Sequence, residues 1–326
     1  SACFQNKSSA KKILYQYWNS DENLQKLHDE FSENTISNYY LPFAIAPNFL
    51  INDKIYTVPM TIEESSVVAA ASKAAKFWMK NGGFKSKVLD SEKIGQVHFM
   101  FHGNKKIIFE YFDFIKPLLI ENTRDITKKM ESRGGGINHI ELIDKSAELK
   151  GYFQIFATFN TVDAMGANFI NSCLEEFSKT FYNSITKFNN SKLQQDDIEV
   201  IMSILSNFVP NCVVHSSVSC NVTELNKLEP ETHNFAEKIV KAIEIANIDI
   251  HRAVTHNKGI MNGIDAVILA TGNDFRSVEA GIHAYASKNG MYTSLTDAKI
   301  ENNLFTFSIE IPLAIGTVGG LTGLHP

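Results

Sequence analysis

The stretch from Arg252 to Ala286, RAVTHNKGIMNGIDAVILATGNDFRSVEAGIHAYA, constrains the fold more than any other part of the chain. Glycines at 259, 263, 272 and 281 surround a mostly apolar run, AVILA at 266–270. A glycine presents no Cβ, so a second backbone or a ligand can approach it closely. Charged and amide residues sit at both ends of the run: Arg252, His256, Asn257 and Lys258 before it, Asn273 and Asp274 after it. A lysine and an aspartate flanking a buried run converge only if the chain folds back between them. Converged, they would form a pair whose pKa values are set by their surroundings. The other reading of the same residues is a glycine-rich helix and loop with solvated ends.

Size and composition narrow the setting. At 326 residues, 44% hydrophobic and 21% charged, the chain is ordinary globular protein, long enough for two domains with cores. A net charge of −5, with no Lys/Arg cluster beside aromatics, leaves no footprint for nucleic acid. No apolar run approaches the roughly 20 residues of a membrane span. The start, SACFQNKSSAKK, lacks the apolar centre of a signal peptide. Cys3, Cys173, Cys212 and Cys220 have no C-x-x-C spacing, which argues against a metal site or a disulfide framework. A reducing cytoplasm is the expected location.

Taken in order, residues 8–36 read as helical, with ILYQYW and LQKLHDEF placing apolar residues three and four apart. They form either an arm packed on this or a second subunit, or a plain surface helix. Residues 39–59 are short apolar runs cut by Pro42, Pro47 and Asn52-Asp53, the pattern of strands joined by a tight turn. Thr61 to Ser66 opens a helix of small residues, VVAAASKAAKFWMK, ended by Gly82-Gly83. Residues 94–113 alternate and turn at Gly103-Asn104, which predicts a hairpin. IKPLLIENTRDITKKM predicts helix, while INHIELI and GYFQIFATFN predict strands. The order β-β-α-β-β-α suits an α+β sandwich inserted in a larger domain. The triple glycine at 134–136 precedes a strand, so it is not the strand–glycine loop–helix of a Rossmann fingerprint.

Asp163, at the head of DAMGAN, reads as the N-cap of the helix NFINSCLEEFSKTF, whose free N–H groups favour an anion. Polar residues over 180–200 return the chain to the larger domain near Asp196. Residues 197–209 predict an amphipathic helix and CVVHSSVSCNV a strand. LNKLEPETHNFAEKIVKAIEIANID predicts one long helix with i,i+4 charge pairs. MYTSLTDAKIENNLFTFSIEIPLAIG predicts a hairpin turning near Glu301–Asn303. Lone histidines such as His139 and His256 read as structural. Ser65-Ser66 and Ser216-Ser217 lack the elbow glycines of acyl-enzyme chemistry.

Four segments together resemble one family. HNKGIMNGIDAVILATGND resembles the signature of the bacterial, class II form of 3-hydroxy-3-methylglutaryl-coenzyme A (HMG-CoA) reductase. VPMTIEESSVVAAAS at 58–72 resembles the start of its substrate-binding helix, DAMGAN at 163–168 its cofactor motif, and GTVGG at 316–320 its late glycine-rich turn. All four stand in the family's order. The resemblance implies an α+β protein: a large α/β substrate domain, residues 1–90 and 198–326, with an inserted ferredoxin-like dinucleotide-binding domain, residues 91–197, and no Rossmann fold. It implies four-electron reduction of (S)-HMG-CoA to mevalonate and coenzyme A by two NADH or NADPH, or the reverse oxidation. No metal takes part, and the protein would be a homodimer or larger homo-oligomer in the isoprenoid pathway.

The family's residue roles then fall on named positions. Glu64, two residues before Ser66, matches the catalytic acid. Lys258 would stabilise the oxyanion left by hydride addition. Asp274, sixteen residues later, would hold that lysine charged and keep a proton on Glu64. Arg252 would grip the substrate's free carboxylate, and Ser66, Asn207 and Asn262 would hydrogen-bond the glutaryl group. Asp163, Ala164, Met165, Gly166, Ala167 and Asn168 would hold the dinucleotide's phosphates. Ser65 stands where many class II members have proline, which leaves the helix start less fixed. Near the triple glycine Lys128, Lys129 and Arg133 outnumber Glu131, a slight lean to NADPH. The family's C-terminal flap, with its catalytic histidine, is absent from a sequence ending LTGLHP, and His325 is not assigned that role. The sequence therefore reads as part of a longer chain, and without the flap it is expected to turn over the thioester poorly and to reduce mevaldehyde comparatively better. The rival reading is a catalytically inactive CoA-thioester-binding relative, which need not keep Glu64, Lys258 and Asp274 together.

Overall fold

The computed structural model describes residues 7–188, 193–232 and 234–319; Cys3, Gly320 and His325 lie outside them. The helical arm is two short helices, α1 (Lys7–Tyr15) and α2 (Glu22–Glu30), with Asp21 capping the second by accepting from the Asn23 and Leu24 N–H groups. Next come β1 (Phe43–Ile51) and β2 (Lys54–Thr61), an antiparallel hairpin. Its turn residues Asn52 and Asp53 both have positive φ, 48° and 67°, the geometry that matches strand twist in a two-residue loop. α3 (Ser65–Lys80) packs back on β1, and Gly83, beyond its end, tucks against the Leu50 carbonyl where no Cβ fits.

After β3 (Lys85–Val88) the chain builds the inserted unit: β4 (Glu92–Phe101), α4 (Lys105–Asn122), α5 (Arg124–Glu131), β5 (Gly136–Asp144), β6 (Tyr152–Asn160), α6 (Ala167–Asn183) and β7 (Ile198–Leu205). The expected hairpin at Gly103-Asn104 is wrong. Asn104 instead caps α4, accepting from the Lys106 N–H at 2.9 Å. KKIIFEYFDFIKPLLIEN buries Ile108, Tyr111, Phe112, Ile115 and Leu119, a helical three-and-four spacing that outweighs its aromatic, strand-like composition. The order is therefore β-α-β-β-α-β in place of β-β-α-β-β-α. Its sheet runs β5-β6-β4-β7 with every neighbour antiparallel, the ferredoxin-like arrangement and not a doubly wound parallel sheet. The predicted helix over 197–209 is also overturned: residues 198–205 are β7, hydrogen-bonded along β4. That stretch is rich in isoleucine and valine, and its apolar run fits either period. The sheet of the inserted unit thus extends past Asp196 to Leu205. Helices cover one face, sealing a core of Val97, Phe99, Phe153, Phe159, Phe177 and Phe181, all fully buried.

The remaining elements are β8 (Val213–Asn221), α7 (Val222–Asn226), α8 (Phe235–Ile248), α9 (Ile250–Ala270), α10 (Phe275–Ala286), β9 (Thr296–Glu301) and β10 (Leu304–Pro312). The long helix expected over 225–249 is broken: residues 227–232, which contain Pro230, are turns and bends, and α8 starts at Phe235, where the Asn226 side chain accepts from the Ala236 N–H at 2.9 Å. The third sheet is antiparallel, ordered β3-β8-β10-β9. Val213 and Ile311 from it pack with Met261 and Ile268 of α9 and Val278 and Ile282 of α10. Among the described residues no helix is long and apolar enough to cross a membrane.

Candidate active site

α9 is one continuous helix of 21 residues, capped at its start by Asp249, which accepts from the His251 N–H. The chain does not fold back between Lys258 and Asp274. It turns only after Ala270, where Gly272 takes a left-handed φ of 66°. Asp274 then caps α10, accepting from the N–H groups of Arg276 at 3.1 Å and Ser277 at 3.4 Å. The Arg276 Nε also donates to it at 3.0 Å. That hydrogen bond chiefly holds the Asp274 carboxyl below the usual carboxylate range, against an opposing effect of partial burial. Among the described residues the partner of Asp274 is thus Arg276, and the expected Lys258–Asp274 pair does not form within one chain.

The DAMGAN segment forms a tight turn between β6 and α6. Val162 sits at φ 51°, unusual for a β-branched residue, and Gly166 at φ 87°. A Cβ on Gly166 would collide with the Thr161 side chain. The helix begins at Ala167 with no side-chain cap, so Asp163 is not its N-cap. Asp163 contributes its carbonyl, which accepts from the Thr317 N–H at 2.8 Å. The Gly316 N–H donates to the Asn273 Oδ1 at 2.9 Å. A Cβ on Gly316 would lie 2.8 Å from the Met165 nitrogen, so the backbones meet where only glycine fits.

Three segments that are far apart in sequence therefore join around one cavity of about 980 Å³. Its lining includes Ala164–Phe169, Leu269, Gly272–Arg276, Gly316 and, from α2 and its C-cap, Leu24, Leu27, His28 and Phe31. Uncapped first-turn N–H groups of α6 beside this space suit an anionic ligand, because they carry the positive end of the helix dipole. Space, backbone donors and glycines that admit close approach together fit the phosphates of a dinucleotide. Among the described residues no group of His, Cys, Asp and Glu is arranged to hold a metal ion.

The other predicted residues divide between two places. Asn207 is joined to the Asp274 end, its Oδ1 accepting from the Ser277 Oγ at 2.9 Å. Gly281 lets α10 lie against the Asn207 carbonyl, 2.8 Å from where a Cβ would stand. Glu64 occupies the N-cap position of α3, exposed, and its carboxylate accepts from the Ser66 hydroxyl. The segment around it shares a small core with Ala266 and Val267, in the C-terminal half of α9. Lys258, exposed, and Arg252 and Asn262, half-buried, sit further back along α9 and do not line the cavity. His256 is tied to the Thr296 hydroxyl at 2.7 Å, and burial, with Arg252 nearby, keeps its pKa low.

Two features escaped the sequence reading. Asp265 of α9 meets Glu279 of α10, and its Oδ1 is buried with no hydrogen-bond partner among the described residues. Burial, and then the neighbouring carboxyl, push Asp265 up to about 7, so the pair holds a proton near neutrality. Lys93 is the second. It is 3% exposed in β4 and lies beneath the DAMGAN turn. A signal was available, since Lys93 falls in phase with the inward residues Gly95, Val97, Phe99 and Phe101.

The sequence profile described as hydroxymethylglutaryl-coenzyme A reductase matches residues 5–326. The chain is 36% identical over 301 residues to the 3-hydroxy-3-methylglutaryl-coenzyme A reductase of Archaeoglobus fulgidus, covering 91% of this chain and 65% of the relative. It is 33% identical over 303 residues to the probable enzyme of that name from Borreliella burgdorferi, covering 91% and 66%. It thus spans just under two thirds of the length of these curated relatives. Among solved structures, the class II 3-hydroxy-3-methylglutaryl-CoA reductase of Streptococcus pneumoniae, bound to NADPH in open conformations, superposes with a TM-score of 0.80. That pair is 33% identical, and the match covers 98% of this chain and 87% of the other.

Proposed function

The chain belongs to the hydroxymethylglutaryl-coenzyme A reductase family, in its class II form, and on that premise we propose that it interconverts HMG-CoA and mevalonate with a nicotinamide dinucleotide. The observation that carries the reading is the junction of DAMGAN, the Asn273-Asp274 turn and Gly316 around one cavity, through the Gly316–Asn273 and Thr317–Asp163 hydrogen bonds. Ala164 to Asn168 and the start of α6 would hold the dinucleotide's phosphates. Bound there, the dinucleotide supplies or accepts hydride.

The chain's own groups do the rest. Negative charge develops on the substrate's carbonyl oxygen, and the Lys258 ammonium is the group proposed to receive it. Glu64 would deliver a proton to that oxygen, and Arg252 would fix the free carboxylate with its planar fork. Ser66, Asn207 and Asn262 would orient the glutaryl group. Lys258 lies midway along α9 and Asp274 at the cap of α10, beyond the far end of α9, so a site using both would draw them from two chains. That supports a homodimer with shared sites. The exposed small side chains of α3, Ser66, Ala69, Ala70 and Ala74, supply a face on which a second copy could pack closely. The substrate would be HMG-CoA, the products mevalonate and coenzyme A, and the location cytoplasmic. We favour NADPH slightly, on the exposed cations Lys128, Lys129 and Arg133 against Glu131.

The test is loss of reduced-nicotinamide absorbance on adding HMG-CoA, with mevalonate identified as product and each nicotinamide used in turn. Binding of both ligands without turnover would favour the inactive, thioester-binding reading. A kcat/KM ratio favouring NADH by more than about tenfold would overturn the lean to NADPH.

A further inference from the structure

A lysine inside a β-strand is usually a solvated residue on the outer face. Lys93 is not. At 3% exposure it lies on the inner face of β4, and its Nζ donates to the Ala164 carbonyl at 2.8 Å and to the Thr161 hydroxyl. The Thr161 Oγ1 donates in turn to the same carbonyl at 2.6 Å. Both acceptors are neutral, and among the described residues no carboxylate pairs with the ammonium. The Cys212 thiol is close enough to interact with it, but burial raises that thiol's pKa and keeps it neutral. A buried cation without a counter-charge is costly, because neutral acceptors replace only part of its lost hydration.

Its position suggests what the cost is set against. The Ala164 carbonyl belongs to the DAMGAN turn, two residues before Gly166, and Gly166 is followed at once by the uncapped first turn of α6. The Thr161 side chain that Lys93 holds is also the surface on which Gly166 rests, so turn, glycine and ammonium are locked together. Lys93 borders a small gap that Met165, Ala167, Asn207 and Ser277 also line, between this turn and the elements carrying Asp274.

We propose that Lys93 is a positioning cation for the dinucleotide: it fixes the Ala164–Gly166 turn from beneath and adds positive charge behind the phosphate-binding end of α6. The proposal rests on the dinucleotide reading above and goes further, since it assigns the site an electrostatic partner outside the motif. Burial pulls the Lys93 pKa down, and an anion held on the far side of the turn opposes that pull. Dinucleotide binding and protonation of Lys93 therefore favour one another.

Dissociation constants for NADPH, NADH and HMG-CoA, each measured alone by fluorescence or calorimetric titration, test this without reference to turnover. Lys93→Met, nearly isosteric but neutral, should weaken both dinucleotides by about tenfold or more and leave HMG-CoA within about twofold. Lys93→Arg should restore dinucleotide affinity to within about threefold of wild type. A folded Lys93→Met protein with unchanged dinucleotide affinity overturns the proposal. So does equal weakening of all three ligands, the mark of a lysine that only supports the fold. Thr161→Ala decides the matter if Lys93→Met does not fold, being a milder change to the same cluster. It should weaken the dinucleotides about threefold and leave HMG-CoA unchanged, and no such difference overturns the proposal. A wild-type protein that binds neither dinucleotide refutes the functional reading itself, a distinct result.

Discussion

Subunit mixing gives the sharpest prediction. From Lys258 to the end of α9 at Ala270 the helix advances 12 residues, about 18 Å at 1.5 Å per residue, before the turn to Asp274 begins. A lysine's four-carbon stem cannot cover that distance, so Lys258 and Asp274 of one chain cannot serve the same oxyanion. In a twofold dimer the lysine of one chain would meet the aspartate of the other. Lys258→Ala alone should lower kcat by about 10²–10³, the usual cost of removing an oxyanion donor. Asp274→Ala alone should be comparably impaired. In a heterodimer of the two, one site combines both lesions and the other has neither. Random pairing of equal amounts makes about half of the dimers mixed, so about a quarter of all sites become wild type. Co-expression of differently tagged variants, followed by two-step purification of the heterodimer, should raise this to about half of wild-type kcat. A purified heterodimer no more active than its parents would refute the shared-site argument.

Other expectations follow from single contacts. Asp274→Asn keeps a capping oxygen for α10 and should fold with nearly wild-type stability while losing turnover, whereas Asp274→Ala should also lose about 1 kcal/mol in denaturant unfolding. Gly316→Ala puts a methyl 2.8 Å from the Met165 nitrogen, and the displaced turn should weaken NADPH binding by about tenfold in a titration. Asp265, held near 7 in the folded protein against an unfolded value near 3.8, binds a proton that the unfolded chain has released between those limits. Stability at this site is therefore greatest below about pH 4 and falls as pH rises through about 7, each unit being worth about 1.4 kcal/mol at most. Asp265→Asn should melt higher than wild type at pH 8 and lose that advantage at pH 4 by calorimetry.

The hairpin of β1 and β2 was legible because its turn, Asn52-Asp53, and its short apolar runs point the same way. The stretch KKIIFEYFDF was not, because ten residues rich in aromatics and isoleucine satisfy a period of two almost as well as 3.6. Only the packing of Ile108, Tyr111, Phe112 and Ile115 on the sheet selects the helix. The ingredients of the site were readable one by one, since glycines and charges cluster in its motifs. How they combine was not. A separation of sixteen residues from Lys258 to Asp274 is compatible with a fold-back or a straight helix, and no local pattern separates a partner in the same chain from one in another. Lys93 escaped because a single lysine in a strand is ordinarily solvated. Its phase with Val97, Phe99 and Phe101 was the signal that it points inward.

α9 is also a ruler. A helix that runs unbroken past Asn262 to Ala270 converts a count of residues into a distance and an angle. One residue gained or lost between Lys258 and Asp274 would shift the far end by about 1.5 Å and swing it by about 100°. Gly272 would then present the turn away from Gly316, and both ends of the cavity would lose their register at once. Exchanges within AVILA that preserve volume are tolerable in a way that a gap is not. By contrast, the break between α1 and α2 and the Pro230 segment between α7 and α8 can change length, because nothing beyond them is measured from there. Over evolutionary time, insertions and deletions should collect at those breaks, and the sixteen-residue interval should stay fixed.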